Sequence, residues 1–184
     1  MADREVEQGA NKNVPDMPDE LNHVLVYALN YGKDLVEDGK MIIPFTVLLV
    51  GDKPFVRHHE GSSTTECYNL ARHEVEGARG AKAYALCYDG YLETPDGPMD
   101  CIISEGGVPG AETGYAIGYL YSLDENGKPK IATTASFIGK APNFMKDVAG
   151  EPEKPVDTDA WAEEALAVEE AEVDVAEEAS EETA

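Results

Sequence analysis

Basic residues are scarce in this chain: 14 Lys and Arg face 37 Asp and Glu, a net charge of −23 over 184 residues. Binding through phosphates needs clustered Lys and Arg, so no direct nucleic-acid binding is expected. Adhesion to an anionic membrane surface is disfavoured for the same reason. A bilayer span needs about 20 apolar residues; the longest apolar run, residues 42–50, is half that and contains Pro44. The opening Met1-Ala2-Asp3-Arg4-Glu5 offers neither the basic stretch nor the apolar core of a secretory leader. Cysteines are few: Cys67, Cys87 and Cys101 are odd in number and lack paired spacing. Reduced thiols in a cytoplasmic protein are the expectation.

Chemical motifs are equally sparse. No H-E-x-x-H, C-x-x-C or G-x-S-x-G spacing occurs. Gly106-Gly107-Val108-Pro109-Gly110 has no Lys, Ser or Thr placed to cradle a phosphate, and strand-like sequence follows it. Cys67 and Cys87 fall on inward positions and Cys101 shares a strand face with Ile103, so inert thiols are expected rather than nucleophiles. Arg57-His58-His59-Glu60 is the most chemical-looking run, and His73-Glu74 lies close behind it. Adjacent strand residues point apart, so His58 and His59 do not converge on one ion without a bend. His58, His59, His73 and Glu74 are therefore only weak metal candidates. No catalytic residue and no cofactor is expected.

Charge is unevenly placed. Residues 151–184 hold 14 acids and one lysine, Lys154, with Pro152 and Pro155 at their start. Such a stretch cannot bury enough apolar surface to offset its ordering entropy. The organisation expected is a disordered N-terminus over residues 1–14, a single α+β domain over 15–146, and an acidic low-complexity tail over 147–184. Trp161 stands in that tail amid Asp and Ala-rich sequence, an arrangement similar in kind to segments that fold on a basic groove.

The body reads as helix, hairpin, helix, meander. Asp16-Met17-Pro18-Asp19 looks like a capped helix start, followed by Leu21, Val24, Leu25, Ala28 and Leu29 at helical spacing, with Asp38-Gly39 as the stop. Residues 45–50 and 55–58 form a hairpin around Gly51-Asp52-Lys53-Pro54. Ser63-Thr64-Thr65-Glu66 matches a capping box ahead of a second helix. Strands are expected over 81–88, 99–104, 115–123 and 130–138, with turns at Pro95-Asp96-Gly97-Pro98 and Asp124-Glu125-Asn126-Gly127. The fold expected is a two-layer sandwich: two helices on one face of an antiparallel sheet of five to six strands.

Two strands alternate small residues with large ones. Ala81, Ala83, Ala85 and Cys87 alternate with Tyr84, Leu86 and Tyr88; Ala116 and Gly118 alternate with Tyr115, Ile117, Tyr119 and Tyr121. If the helices cover the small side, the tyrosines form an apolar patch too large to stay bare. Tyr84, Tyr88, Tyr115, Ile117, Tyr119, Tyr121 and Trp161 are thus the candidate interaction residues. The leading reading is a non-enzymatic interaction protein that binds a protein partner or forms a homodimer. A small-ligand or metal-dependent enzyme with a pocket near His58, His59, His73 and Gly106 is one alternative, and an acidic mimic of nucleic acid another. In small size, low isoelectric point and α+β order the chain also resembles secretion chaperones of pathogenic bacteria. That resemblance implies an acidic dimer binding extended effector segments.

Overall fold

The computed structural model describes residues 15–148. The expectations for residues 1–14 and, from residue 149 on, for the acidic tail with Trp161 fall outside the described residues. Helix α1 spans Asp19–Glu37 and buries Leu21, Val24, Leu25, Ala28 and Leu29, as their spacing of three and four dictates. It starts later than a cap at Asp16 implies. Pro18 is the residue at the N-cap, with ψ of 142° and no side-chain cap. The proline ring pushes the residue before it out of the helical region, so no helical turn forms ahead of it. At the other end Gly39, at φ +71°, lets its N–H reach the Val36 carbonyl at 3.0 Å while Lys40 N–H reaches Leu35 at 2.9 Å. This pair of hydrogen bonds to the last turn is the usual glycine stop.

Strands β1 (Phe45–Val50) and β2 (Lys53–His58) form the expected hairpin, and α2 runs Thr64–Gly77. The capping box is present in altered form. Ser63 Oγ accepts from Glu66 N–H at 3.2 Å, but the Glu66 carboxylate reaches back to Ser62, accepting from its N–H at 2.7 Å and its hydroxyl at 2.6 Å. These bonds hold the Glu66 carboxyl below its ordinary pKa. The meander follows: β3 (Ala81–Thr94), β4 (Gly97–Gly107), β5 (Gly114–Leu123), β6 (Pro129–Ile131) and β7 (Ser136–Ala141). The single strand expected over 130–138 is thus two strands, both paired with β5. The antiparallel sheet has seven strands in the order β2-β1-β3-β4-β5-β6, with β7 also against β5.

Two helices packed on an antiparallel sheet make the protein α+β, as its pattern implies. The helices divide between the two faces of that sheet, which modifies the two-layer picture. Leu21, Val24, Leu25, Ala28 and Leu29 of α1 cluster with Ala83, Ala85, Cys87, Phe45, Val47 and Ile102. Ala71 and Val75 of α2 cluster instead with Tyr84 and Leu86, joined by Phe144, Met145 and Val148 from the segment after β7. Neighbouring strand residues point to opposite sides, so Tyr84 and Leu86 lie on the face that Ala83, Ala85 and Cys87 do not. The small row does draw a helix close. A Cβ on Gly32 of α1 would stand 2.9 Å from Cys87 Sγ and 3.0 Å from Ile102 Cγ2.

Candidate functional site

The tyrosines do not share a face. Strand β4 lies between β3 and β5, and the register runs Cys87↔Ser104↔Ile117 and Asp89↔Ile102↔Tyr119. The small row of β3 therefore shares its face with the large row of β5, which the separate alternations of the two strands cannot reveal. Ile117 is buried under α1, and Tyr115, Tyr119 and Tyr121 pack half-buried against the same cluster. Two of their hydroxyls have partners within the chain. Tyr119 donates to Asn30 Oδ1 at 3.3 Å and Tyr121 to both oxygens of Asp89 at 2.9 and 3.0 Å. Desolvation raises the Asp89 carboxyl above its ordinary pKa, with Asp100 adding like-charge repulsion. Tyr84 is fully buried on the other face, stacked on Phe144 at 5.4 Å. Its hydroxyl donates to the Pro142 carbonyl at 3.2 Å and accepts from Phe144 N–H at 3.0 Å.

The histidines scatter as well. His58 is exposed beside Tyr31 and Phe45 on the α1 side. His59 is buried on the α2 side, with Nε2 3.0 Å from Thr46 Oγ1 and 3.8 Å from Glu74 Oε2. Burial lowers its pKa, against an opposing pull from Glu74. His73 is exposed on α2. Among the described residues no group of three or more His, Cys, Asp and Glu is placed to hold a metal ion. All three cysteines are buried and free. Burial pushes the Cys87 thiol up and the Cys101 thiol to about 12, so neither supplies thiolate at neutral pH.

One cavity among the described residues has in its lining Pro44, whose carbonyl accepts from His59 N–H at 2.7 Å, and Glu105, the neighbour of Gly106, while His58, His59, His73 and Gly106 themselves do not line it. It occupies about 350 Å³ on the α2 face, between the start of α2 and the β3–β4 ribbon. Leu86, Tyr88, Gly90 and Leu92 of β3 with Ile103 and Glu105 of β4 form its floor, and Thr64, Thr65, Tyr68, Pro44 and Pro142 its walls. Asp89 and Tyr91 border it from strand positions that alternate to the far face, where Tyr121 holds the Asp89 carboxylate. Glu105 is therefore the acidic side chain on the floor. It is only 1% exposed, and the Tyr88 hydroxyl donates to its Oε2 at 3.0 Å. A buried carboxylate is costly unless charge or hydrogen bonds compensate it, and such groups gather at functional sites.

Tyr88 was among the expected contact residues; Glu105 and Tyr68 were not. Glu105 has a readable signal, since it shares one face of β4 with Cys101 and Ile103, both apolar and inward. The Gly106-Gly107 pair behind it suggested a loop and ended the strand too soon. Among the described residues no helix is long and apolar enough to cross a membrane. No family model, curated protein or solved structure matches this chain.

Proposed function

We propose that the protein binds a small organic molecule in the cavity between α2 and the β3–β4 ribbon. What carries this reading is the buried Glu105 carboxylate on the floor of an otherwise largely apolar hollow. The volume lies within the range of ligand pockets, about 300–1,000 Å³, and a few polar groups among apolar walls are their usual make-up. At about 30 Å³ per water, it holds roughly a dozen waters or one compact ligand. Free, buried thiols fit a reducing compartment, so the cytoplasm is the location proposed.

The test is a fragment screen of mixed cationic, neutral and anionic compounds followed by amide and methyl NMR. Binders are expected to shift Leu86, Tyr88, Leu92 and Ile103, and to stop doing so in Thr64→Trp, which places a large side chain at the exposed wall. A screen in which no compound moves those signals removes the reading.

Protein contact is the second reading, now confined to β5. Tyr115, Tyr119 and Tyr121 are half-buried, and their row runs outward to Leu123, which is 60% exposed. The occupant proposed is a second copy of the chain, pairing through aromatic and aliphatic side chains. Leu123→Ser with Tyr119→Ser is then expected to lower the mass measured by sedimentation. An unchanged mass ends this reading.

A further inference from the structure

We infer that the ligand of this cavity is an organic cation, an ammonium group on a compact apolar body, with the Glu105 carboxylate as its counter-charge. The inference rests on the ligand-binding reading and narrows its chemistry. Three observations converge on it. First, none of the residues around the cavity is Lys, Arg or His, so an anionic ligand finds no counter-ion there. Second, the acid on the floor is removed from bulk water, where an attraction between opposite charges is screened least. Tyr88 fixes that carboxyl group by its hydroxyl, so its oxygens are oriented before a ligand arrives. Third, the rings of Tyr68 and Tyr88 belong to the lining, and aromatic faces attract ammonium groups. Tyr68 is itself braced edge-on against Phe144 at 5.2 Å, which limits its swing.

The remaining surfaces, Leu86, Leu92, Ile103, Pro44 and Pro142, suit a hydrocarbon or aryl body. A neutral alcohol of the same shape would gain that apolar contact but not the charge pairing. A carboxylate of the same shape would meet Glu105 as a like charge. The chain's net charge of −23 acts in the same direction at long range, enriching cations near the surface at low salt.

The probes are phenethylamine, 2-phenylethanol and phenylacetate, titrated into the intact chain by calorimetry with the NMR signals of Leu86 and Ile103 as locators. Phenethylamine is expected to bind at least about tenfold more tightly than the alcohol, and phenylacetate not to bind, as charge-assisted bonds exceed neutral ones. Glu105→Gln retains an acceptor for the Tyr88 hydroxyl and is expected to abolish the amine's advantage while leaving the alcohol unchanged. Tyr68→Leu, on the partly exposed helix surface, is expected to weaken the amine more than the alcohol and guards against a folding defect in the first variant. Equal binding of amine and alcohol, or tighter binding of phenylacetate, overturns the cation assignment while leaving a ligand site in place. Failure of all three probes together with the whole fragment screen overturns both.

Discussion

The two faces of the sheet differ in what they bury. Under α1 the packing of fully buried side chains is mainly aliphatic, Leu21, Leu25, Leu29, Val47 and Ile102 against small residues of β3, with Phe45 and the half-buried Tyr31, Tyr115, Tyr119 and Tyr121 around them. Under α2 it is aromatic and polar: the Tyr84 hydroxyl, the Thr46–His59 pair and the Tyr88–Glu105 pair all sit on that side. Of the four buried polar or charged residues among the described residues, Thr46, His59 and Glu105 lie on the α2 face and Ser104 on the α1 face. One face supplies area removed from water, which is non-directional and tolerant of small shifts. The other holds groups that must be satisfied one by one, and a cavity. The α1 packing and the cavity thereby lie on opposite sides of a single sheet.

That contrast can be broken most forcefully at Gly32. Replacing it with Val drives a branched side chain into Cys87 and Ile102, and overpacking of this kind costs about 1–3 kcal/mol. Chemical denaturation is expected to show that loss, with Cys87→Ala in the same chain recovering part of it, since contacting sites couple. Gly77 of α2 is the control, because a Cβ there meets nothing within 4 Å. Gly77→Ala is expected to be neutral or slightly stabilising. A Gly32 variant as stable as the Gly77 variant would mean that α1 does not approach β3 so closely.

A second test titrates the α2 face. His59 in the folded protein has a pKa below its ordinary 6.5, so folding favours the neutral ring. Stability from this group is complete above pH 6.5 and is lost as pH falls from there toward the folded-state value. Melting temperatures followed from pH 8 to pH 5 are expected to fall more steeply for the wild type than for His59→Gln, whose amide can still meet Thr46. Parallel curves would show that His59 takes up its proton at no cost to the fold.

The smallest effect belongs to Ser104. Its hydroxyl is buried between Cys87 and Ile117 and, among the described residues, has no hydrogen-bond partner. Removing an unsatisfied buried group recovers part of its desolvation cost, so Ser104→Ala is expected to raise stability by about 1 kcal/mol. A decrease would show that the hydroxyl is paired in solution and that the α1 face is less dry than its packing implies.

Local pattern decided most of the elements. The spacing of Leu21, Val24, Leu25, Ala28 and Leu29 marks α1, Gly39 marks its end, and Ser63 with Glu66 marks the start of α2, because each reports a contact between residues a few positions apart. The burial of Cys67 and Cys87 could be read in the same way, from their inward positions. The strand expected over 130–138 divides because Pro129–Ile131 and Ser136–Ala141 find separate places along β5, and nothing local announces the break.

The sequence by itself therefore determined helix and strand content, the acidic character and the absence of familiar catalytic motifs. Only the tertiary structure decided which side of each strand faces which helix. Alternation fixes the two sides of one strand relative to each other, whereas the register through β4 fixes them relative to another strand, and that pairing joins residues far apart in the chain. The same step separated Tyr84 and Tyr88 from the tyrosines of β5 and set Glu105 beneath α2, where burial gives an ordinary glutamate its significance.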